Sequence, residues 1–204
     1  MYSAKVCKED FLAMKKKVRP YSRKLERALE RCNHQLLLYK RECGDVGRLE
    51  SAGTFAMQAA GLLGELEEFL QELEDGPFRR EMLEFYFDIR SFTAIYELVD
   101  ENYLIYGRHG KDGRFWLKLC CVNPAANLQA CLDKGRSAVF FSATLLPVNY
   151  YKKLLSGRGE EDYAVYIPSP FCGEKRRLFI GRDVSSRYSR RGPEEYRRIA
   201  AYIH

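Results

Sequence analysis

Apolar residues in the first hundred positions recur every three or four residues, the spacing that places side chains on one face of an α-helix. Pro20 falls within the first stripe and predicts a kink or a break into two helices. Residues 75–77, Asp-Gly-Pro, predict the end of the second stripe. The three stripes are Phe11, Met14, Val18, Tyr21, Leu25, Ala28, Cys32, Leu36 and Tyr39; Phe55, Ala59, Leu62, Leu66, Phe69 and Leu73; and Phe78, Met82, Phe85, Ile89, Phe92, Tyr96 and Val99. Long stripes joined by short breaks predict an antiparallel helical bundle.

The period changes near Glu101. Residues 103–106 and 115–119 are β-prone and flank a glycine-containing stretch, which predicts a hairpin. Residues 124–132 predict a short helix. Residues 137–142 are apolar on both faces, as in a central parallel strand, and Pro147 favours the start of a helix.

The C-terminal part repeats this alternation. Residues 163–167 and 178–180 predict strands, and residues 193–203 predict a helix. The predicted fold class is therefore mixed α+β: a helical bundle followed by partial α/β segments with parallel strands.

Charge is distributed in blocks along the 204 residues, whose formal net charge is +6. Residues 1–50 hold 13 Lys/Arg and 7 Asp/Glu, residues 51–100 hold 3 and 11, and residues 101–204 hold 18 and 10. Such blocks suit a protein that offers some faces to nucleic acid and keeps others away from it. A solvated surface without a partner explains the charge pattern equally well.

Cysteine and histidine spacing predicts no metal site. The seven cysteines form no C-x-x-C pair and are interpreted as reduced, buried thiols, while His34 and His109 lack spaced partners. No apolar run is long enough to cross a bilayer, and the first ten residues do not resemble a signal peptide. We therefore expect a cytoplasmic protein without a membrane partner.

The most informative segment is residues 139–147, Val-Phe-Phe-Ser-Ala-Thr-Leu-Leu-Pro. A buried strand that ends in Ser-Ala-Thr places small hydroxyls at the strand edge where α/β sheets bind ligands. The segment resembles motif III of superfamily 2 helicases, and its Leu-x-Pro continuation is typical of the DinG/XPD branch. The resemblance implies that Ser142, Ala143, Thr144 and Leu145 couple the nucleotide site to the nucleic-acid groove.

Three further segments match the same branch in the same order. Residues 167–171, Ile-Pro-Ser-Pro-Phe, resemble the linker after motif III, and residues 184–191 resemble the start of the second motor domain. Residues 1–4 resemble the segment that follows the DEAH box. The resemblance implies a helical arch insert (1–101), a return into motor domain 1 (102–158) and the beginning of motor domain 2 (159–204).

The resemblance implies a parent enzyme that hydrolyses ATP with Mg²⁺, translocates on single-stranded DNA, 5′ to 3′, and unwinds duplexes. The sequence contains no G-x-x-x-x-G-K-[ST] phosphate loop and no DEAH box, so this part alone is expected to be inactive and not to bind ATP. The cluster cysteines of many relatives precede the DEAH box; whether the parent carries an iron–sulfur cluster is left open. The resemblance implies two partners for residues 1–204: single-stranded DNA and the remainder of the helicase chain.

Two basic groups are candidate DNA contacts: Arg187, Arg190 and Arg191 in a predicted loop, and Lys15, Lys16 and Lys17 on the first helix. A solvated loop or helix face is an equal alternative for each. Trp116 and Tyr106 are interpreted as packed aromatics, with stacking on bases as the alternative. The rival functions are a stand-alone helical interaction module and a small hydrolase using Ser142. The hydrolase is disfavoured because the sequence around Ser142 is not a G-x-S-x-G elbow.

Overall fold

The computed structural model describes residues 2–142, 144–168, 171–175 and 177–203. The chain forms two compact units, one ending at Asp162 and the other beginning at Tyr163. The first contains β1 (Ala4–Cys7), α1 (Lys8–Val18), α2 (Arg23–Glu42), β2 (Val46–Arg48), α3 (Gly53–Glu72), α4 (Pro77–Tyr96), β3 (Tyr103–His109), β4 (Phe115–Cys121), α5 (Ala125–Leu132) and α6 (Val148–Leu155). The second contains α7 (Pro193–Ile203) and two 3₁₀ turns, Gly173–Lys175 and Tyr188–Arg190.

The predicted bundle is confirmed, with α1 to α4 each packed against the next. The interruption at Pro20 is confirmed as a break between α1 and α2. Ser22 caps the new helix, since its hydroxyl accepts the Leu25 N–H at 3.2 Å. Pro77 occupies the first turn of α4, where its missing N–H costs nothing.

Aromatic side chains fill the centre of the bundle. Phe11 makes edge-to-face contacts with Phe55 and Phe85, at ring-centroid distances of 5.7 and 5.1 Å. Phe55 makes a third such contact with Phe92 at 5.2 Å. Aromatic pairs in this geometry add stabilisation beyond the apolar area they bury, so these rings tie three of the four helices together.

The sheet has the order β1-β4-β3-β2, and every pairing in it is antiparallel. The predicted hairpin is confirmed as β3 and β4, and Gly113 in its turn has φ +77°, a value that glycine adopts without strain. Strands β1 and β2 were not predicted because each has only three or four residues. The sheet takes strands from both sides of the predicted boundary at residue 101.

The predicted parallel strands are not supported. Residues 137–142, 163–167 and 178–180 form neither helix nor strand and belong to no ladder in the described chain. Val139 and Phe141 are 83% and 90% exposed. A strand needs backbone partners from neighbouring strands, whereas a helix satisfies its own groups. Accordingly, the helices predicted in the same regions are confirmed as α5, α6 and α7.

Candidate nucleic-acid interface

The motif III-like residues lie in an exposed turn. Thr144 donates its N–H to the Ser142 hydroxyl at 3.2 Å, and the two hydroxyl oxygens are also 3.2 Å apart. Leu145 is half-buried. Ala143 lies outside the described residues, as do Met1, Ser169 and Pro170 of the other matching segments. The two predicted hydroxyls are therefore adjacent and accessible to a ligand.

The lysines of α1 differ in their surroundings. Lys15 pairs with Glu30 of α2, and Lys17 pairs with Glu81 of α4. Lys16 is exposed and has no ion pair within the described chain. Two of the three predicted DNA-contacting lysines thus already have carboxylate partners that tie the bundle helices together.

The three arginines of the second unit also separate into two kinds. Arg190 donates to Glu195 at 3.1 Å, and the Glu195 side chain is only 4% exposed. The same carboxylate accepts the Ser185 N–H at 2.5 Å, so Arg190 and Glu195 hold the residues before α7 against that helix. Arg187 and Arg191 are exposed, and Arg191 lies 5.5 Å from the centre of the Tyr188 ring. Of these three predicted arginines, Arg187 and Arg191 are therefore the two that are free of a carboxylate partner in the described chain and accessible to a phosphate.

A second basic surface lies on the sheet of the first unit. Residues alternate between its faces, and one face packs into the helical core through Ile105, Leu117 and Leu119. We call the opposite side the outer face; its residues are Lys5, Cys7, Val46, Arg48, Leu104, Tyr106, Arg108, Trp116, Lys118 and Cys120, of which Cys7 is buried. Its charged residues are all cationic.

Strand register aligns these residues in a row. Lys5 of β1 lies opposite Lys118 of β4, which lies opposite Tyr106 of β3, which lies opposite Arg48 of β2. In the neighbouring row, Arg108 lies opposite Trp116. Four strands about 4.8 Å apart make such a row roughly 14 Å long. The outer face therefore presents a band of cations with two aromatic rings among them.

The cations contact the rings directly. The Lys5 ammonium lies 4.7 Å from the centre of the Trp116 ring, and the Lys118 ammonium lies 5.7 Å from that of Tyr106. The Arg114 guanidinium lies 5.2 Å from the Trp116 ring. These cation–π contacts offset part of the repulsion between neighbouring like charges.

Helices α1 and α2 hold the hairpin in place through Glu9. Its carboxylate accepts the Phe115 N–H at 2.8 Å and the Lys40 ammonium at 3.1 Å, and Lys40 also donates to the Gly113 carbonyl at 2.9 Å. Partial burial raises the pKa of Glu9, but these hydrogen bonds outweigh it, so the pKa lies below its ordinary value. Glu9 therefore stays ionised and fixes the start of β4.

Two carboxylates border the outer face at the free edge of β1. A groove of about 550 Å³ there is lined by Lys5, Trp116 and Lys118 together with Asp10 and Asp88. Arg114 pairs with Asp10. Partial burial raises the pKa of Asp10, against the opposing effect of Arg114. The groove is therefore cationic on its sheet side and acidic on its helical side, where Asp10 belongs to α1 and Asp88 to α4.

The glycine-containing stretch of the hairpin does not have the strand-to-helix form of a phosphate loop. The glycine-containing stretch 107–111 continues from β3 into the hairpin turn rather than leading into a helix. A Cβ at Gly107 would lie 2.6 Å from the Cys43 sulfur and 2.7 Å from the Phe115 ring, so this glycine serves packing. Among the described residues, no three His, Cys, Asp or Glu side chains are grouped to hold a metal ion.

No helix in the described part of the chain combines the length and apolarity needed to span a membrane. Comparison of the chain with known protein families and with curated proteins finds no match.

Sequence reasoning missed Lys5, Arg48, Arg108 and Lys118 as a group. The signal was present in the hairpin, where Leu104, Tyr106 and Arg108 alternate with buried residues and so share one face. The contributions of Lys5 and Arg48 depend on pairings between distant segments, which no local pattern specifies.

Proposed function

We propose that this chain is the arch insert, the return into motor domain 1 and the beginning of motor domain 2 of a DinG/XPD-type superfamily 2 DNA helicase. The proposal rests on the ordered match of residues 1–4, 139–147, 167–171 and 184–191 to that branch. The parent enzyme, supplied with ATP and Mg²⁺ by other segments, translocates on single-stranded DNA and unwinds duplexes.

The structural observation that supports the proposal is the exposure of the β-prone segments. Residues 137–142 are strongly apolar, yet Val139 and Phe141 face solvent. Such a segment is stable only when other strands cover its edges and other side chains cover its faces. Motor-domain strands from the remainder of a helicase would supply both, since α/β motor sheets are parallel and covered on each side.

In this proposal the Ser142–Thr144 turn links two sites. Its hydroxyls follow the apolar segment directly and lie 3.2 Å apart. Exposed hydroxyls donate and accept hydrogen bonds, so the turn can contact a neighbouring motor element and change that contact when the element moves. Arg187 and Arg191 contact the DNA backbone, while Arg190 keeps its structural partner Glu195.

The test uses the protein encoded by the full open reading frame. Thr144→Ala should lower strand unwinding more than DNA-stimulated ATP hydrolysis, because the hydroxyl couples the two activities. Thr144→Ser is the matched control, since it keeps the hydroxyl, and should retain unwinding. Equal loss of both activities, or no loss, would contradict the coupling role.

The rival interaction module makes a different prediction. An open reading frame that ends near His204, with no DNA-stimulated ATPase activity in its product, would favour that module. A longer product with such activity would exclude the module.

A further inference from the structure

We propose that the outer face of the sheet binds single-stranded nucleic acid, with bases stacked on Trp116 and Tyr106 and phosphates paired with Lys5, Arg48, Arg108 and Lys118. This surface shares no residue with the helicase-like segments 139–147, 167–171 and 184–191. In placing single-stranded nucleic acid on this sheet the inference deepens the proposed function, but its argument rests on the sheet alone, so the two can fail separately.

The first argument is the uncompensated charge of the surface. Lys5 and Lys118 are direct cross-strand neighbours, and like charges in that position destabilise a sheet. The ion pairs of the described chain include none of the four proposed phosphate ligands. This distinguishes them from Lys15 and Lys17, which have carboxylate partners. Cationic side chains that lie close together and have no ion-pair partner are expected at a site where an anionic ligand neutralises their charge.

The second argument is the position of the rings. Trp116 and Tyr106 lie on adjacent strands, diagonally across the pairs Arg108–Trp116 and Tyr106–Lys118. Diagonal neighbours are about 7–8 Å apart, which leaves room for two successive unpaired bases. Four-stranded sheets that bind RNA stack two or three bases on aromatic rings of the sheet. Aromatic rings do not pair with an acidic peptide or a lipid phosphate, so the mixture of rings and cations favours a nucleic acid.

The third argument concerns the cations that contact the rings in the free protein. Lys5 has a long, flexible side chain and is exposed. A base can therefore replace its ammonium over the Trp116 ring while the ammonium moves to the adjoining phosphate. The acidic side of the groove, Asp10 and Asp88, repels phosphates and so directs the strand across the sheet toward Arg48. A duplex hides its bases in the stack and cannot use the rings.

Trp116 is the only tryptophan of the chain, so its fluorescence reports on this surface alone. Titration with a short oligothymidylate at low salt should change the Trp116 emission in a saturable manner. An abasic oligonucleotide of the same length, and a duplex, should bind more weakly. Binding as tight by the abasic strand as by oligothymidylate would overturn the stacking proposal.

Ring variants test the stacking platform. Tyr106→Thr keeps the fluorescent reporter and the strand propensity, and should weaken binding by about fivefold or more. Trp116→Phe, followed by anisotropy of a labelled strand, keeps a ring and should retain binding. Equal urea midpoints for the variants and the wild type would show that the fold is intact. Unchanged affinity of a folded Tyr106→Thr variant would remove that ring from the site.

Charge variants test the phosphate contacts against matched controls. Lys5→Gln with Lys118→Gln should reduce the slope of log affinity against log salt by about 1.4, which is roughly 0.7 per phosphate. Lys15→Gln with Lys17→Gln removes the same charge from the bundle and should leave the slope unchanged. Arg187→Ala with Arg191→Ala should leave the Trp116 emission change intact, which separates this site from the proposed motor contacts. An equal loss in the bundle variant would overturn the assignment to the sheet.

Discussion

Phe55 and Phe141 have the same side chain and opposite surroundings. Phe55 is completely buried between two other phenylalanines in the bundle, whereas Phe141 is 90% exposed in the motif III-like segment. The difference extends to whole regions. Residues 4–132 bury their apolar stripes, and residues 137–142, 163–167 and 178–180 leave theirs in solvent.

This difference follows from where each element finds its partners. The bundle helices satisfy their backbone groups internally and bury their stripes against neighbours close in sequence. A central parallel strand needs partners that come from distant segments. Under the proposed function, the exposed segments would be strands whose partners lie elsewhere in the helicase.

The largest expected effect is on the free energy of unfolding, and it distinguishes Phe55 from Phe141. Phe55→Ala should lower the free energy of unfolding by about 3–5 kcal/mol, because it removes a buried ring and leaves a cavity. Phe141→Ala should change it by no more than about 0.5 kcal/mol, as for an exposed position. Urea denaturation monitored by circular dichroism gives both values. A similar cost for the two substitutions would break the comparison.

Glycine-to-alanine substitutions are expected to give the second-largest difference in the free energy of unfolding. Gly107→Ala should cost about 1–3 kcal/mol, because its Cβ would lie 2.6 Å from the Cys43 sulfur and would force the neighbouring side chains to shift. At Gly173 in the second unit, no atom of the described residues lies within 4 Å of the added Cβ. Gly173→Ala should leave the unfolding free energy within about 0.5 kcal/mol. Equal effects would mean that the two regions are packed alike.

The smallest expected effects concern two thiols. Burial raises the pKa of Cys32 to about 12. The prediction of a buried thiol is wrong for Cys172, which is exposed. In the native chain iodoacetamide should therefore modify Cys172 rapidly and Cys32 only after unfolding, as peptide mass spectrometry can measure. Rapid labelling of Cys32 under native conditions would contradict the tight packing of the bundle.

The Cys32 thiol also predicts a pH dependence. The unfolded chain releases this proton above about pH 9, while the folded chain keeps it to about pH 12. The unfolded state is therefore favoured as the pH rises, so the stability from the neutral thiol is complete below about pH 9 and is lost toward pH 12. Cys32→Ala should unfold with a shallower loss of urea midpoint over that range. An unchanged slope would contradict the raised pKa.

Prediction from the sequence succeeded in the buried bundle and hairpin and was less successful in the exposed β-prone segments. The helical stripes and the break at Pro20 were predictable because periodicity and proline chemistry act locally. The 103–121 hairpin was predictable for the same reason. Residues 137–142 were predicted as a strand from composition, which does not say whether partner strands are present.

Among the candidate site residues, only those that are contiguous in sequence could be predicted to lie together. The Ser142–Thr144 pair was predicted and lies together, because it is contiguous in sequence. Lys15 and Lys17 were predicted as DNA contacts, but each has a carboxylate partner on another helix, which local sequence does not reveal. The row from Lys5 to Arg48 was not predicted, because it depends on the order of four strands drawn from three parts of the chain.

Hydrogen–deuterium exchange tests the central claim most directly, since it reports on each backbone amide. The account predicts slow exchange in β3 and β4, Tyr103–His109 and Phe115–Cys121, whose amides are paired in the sheet. It predicts rapid exchange at residues 137–142 and 163–167, which have no strand partners in the described chain. Slow exchange at residues 137–142, comparable with that of β3, would show that this segment already has its partners and would contradict the account.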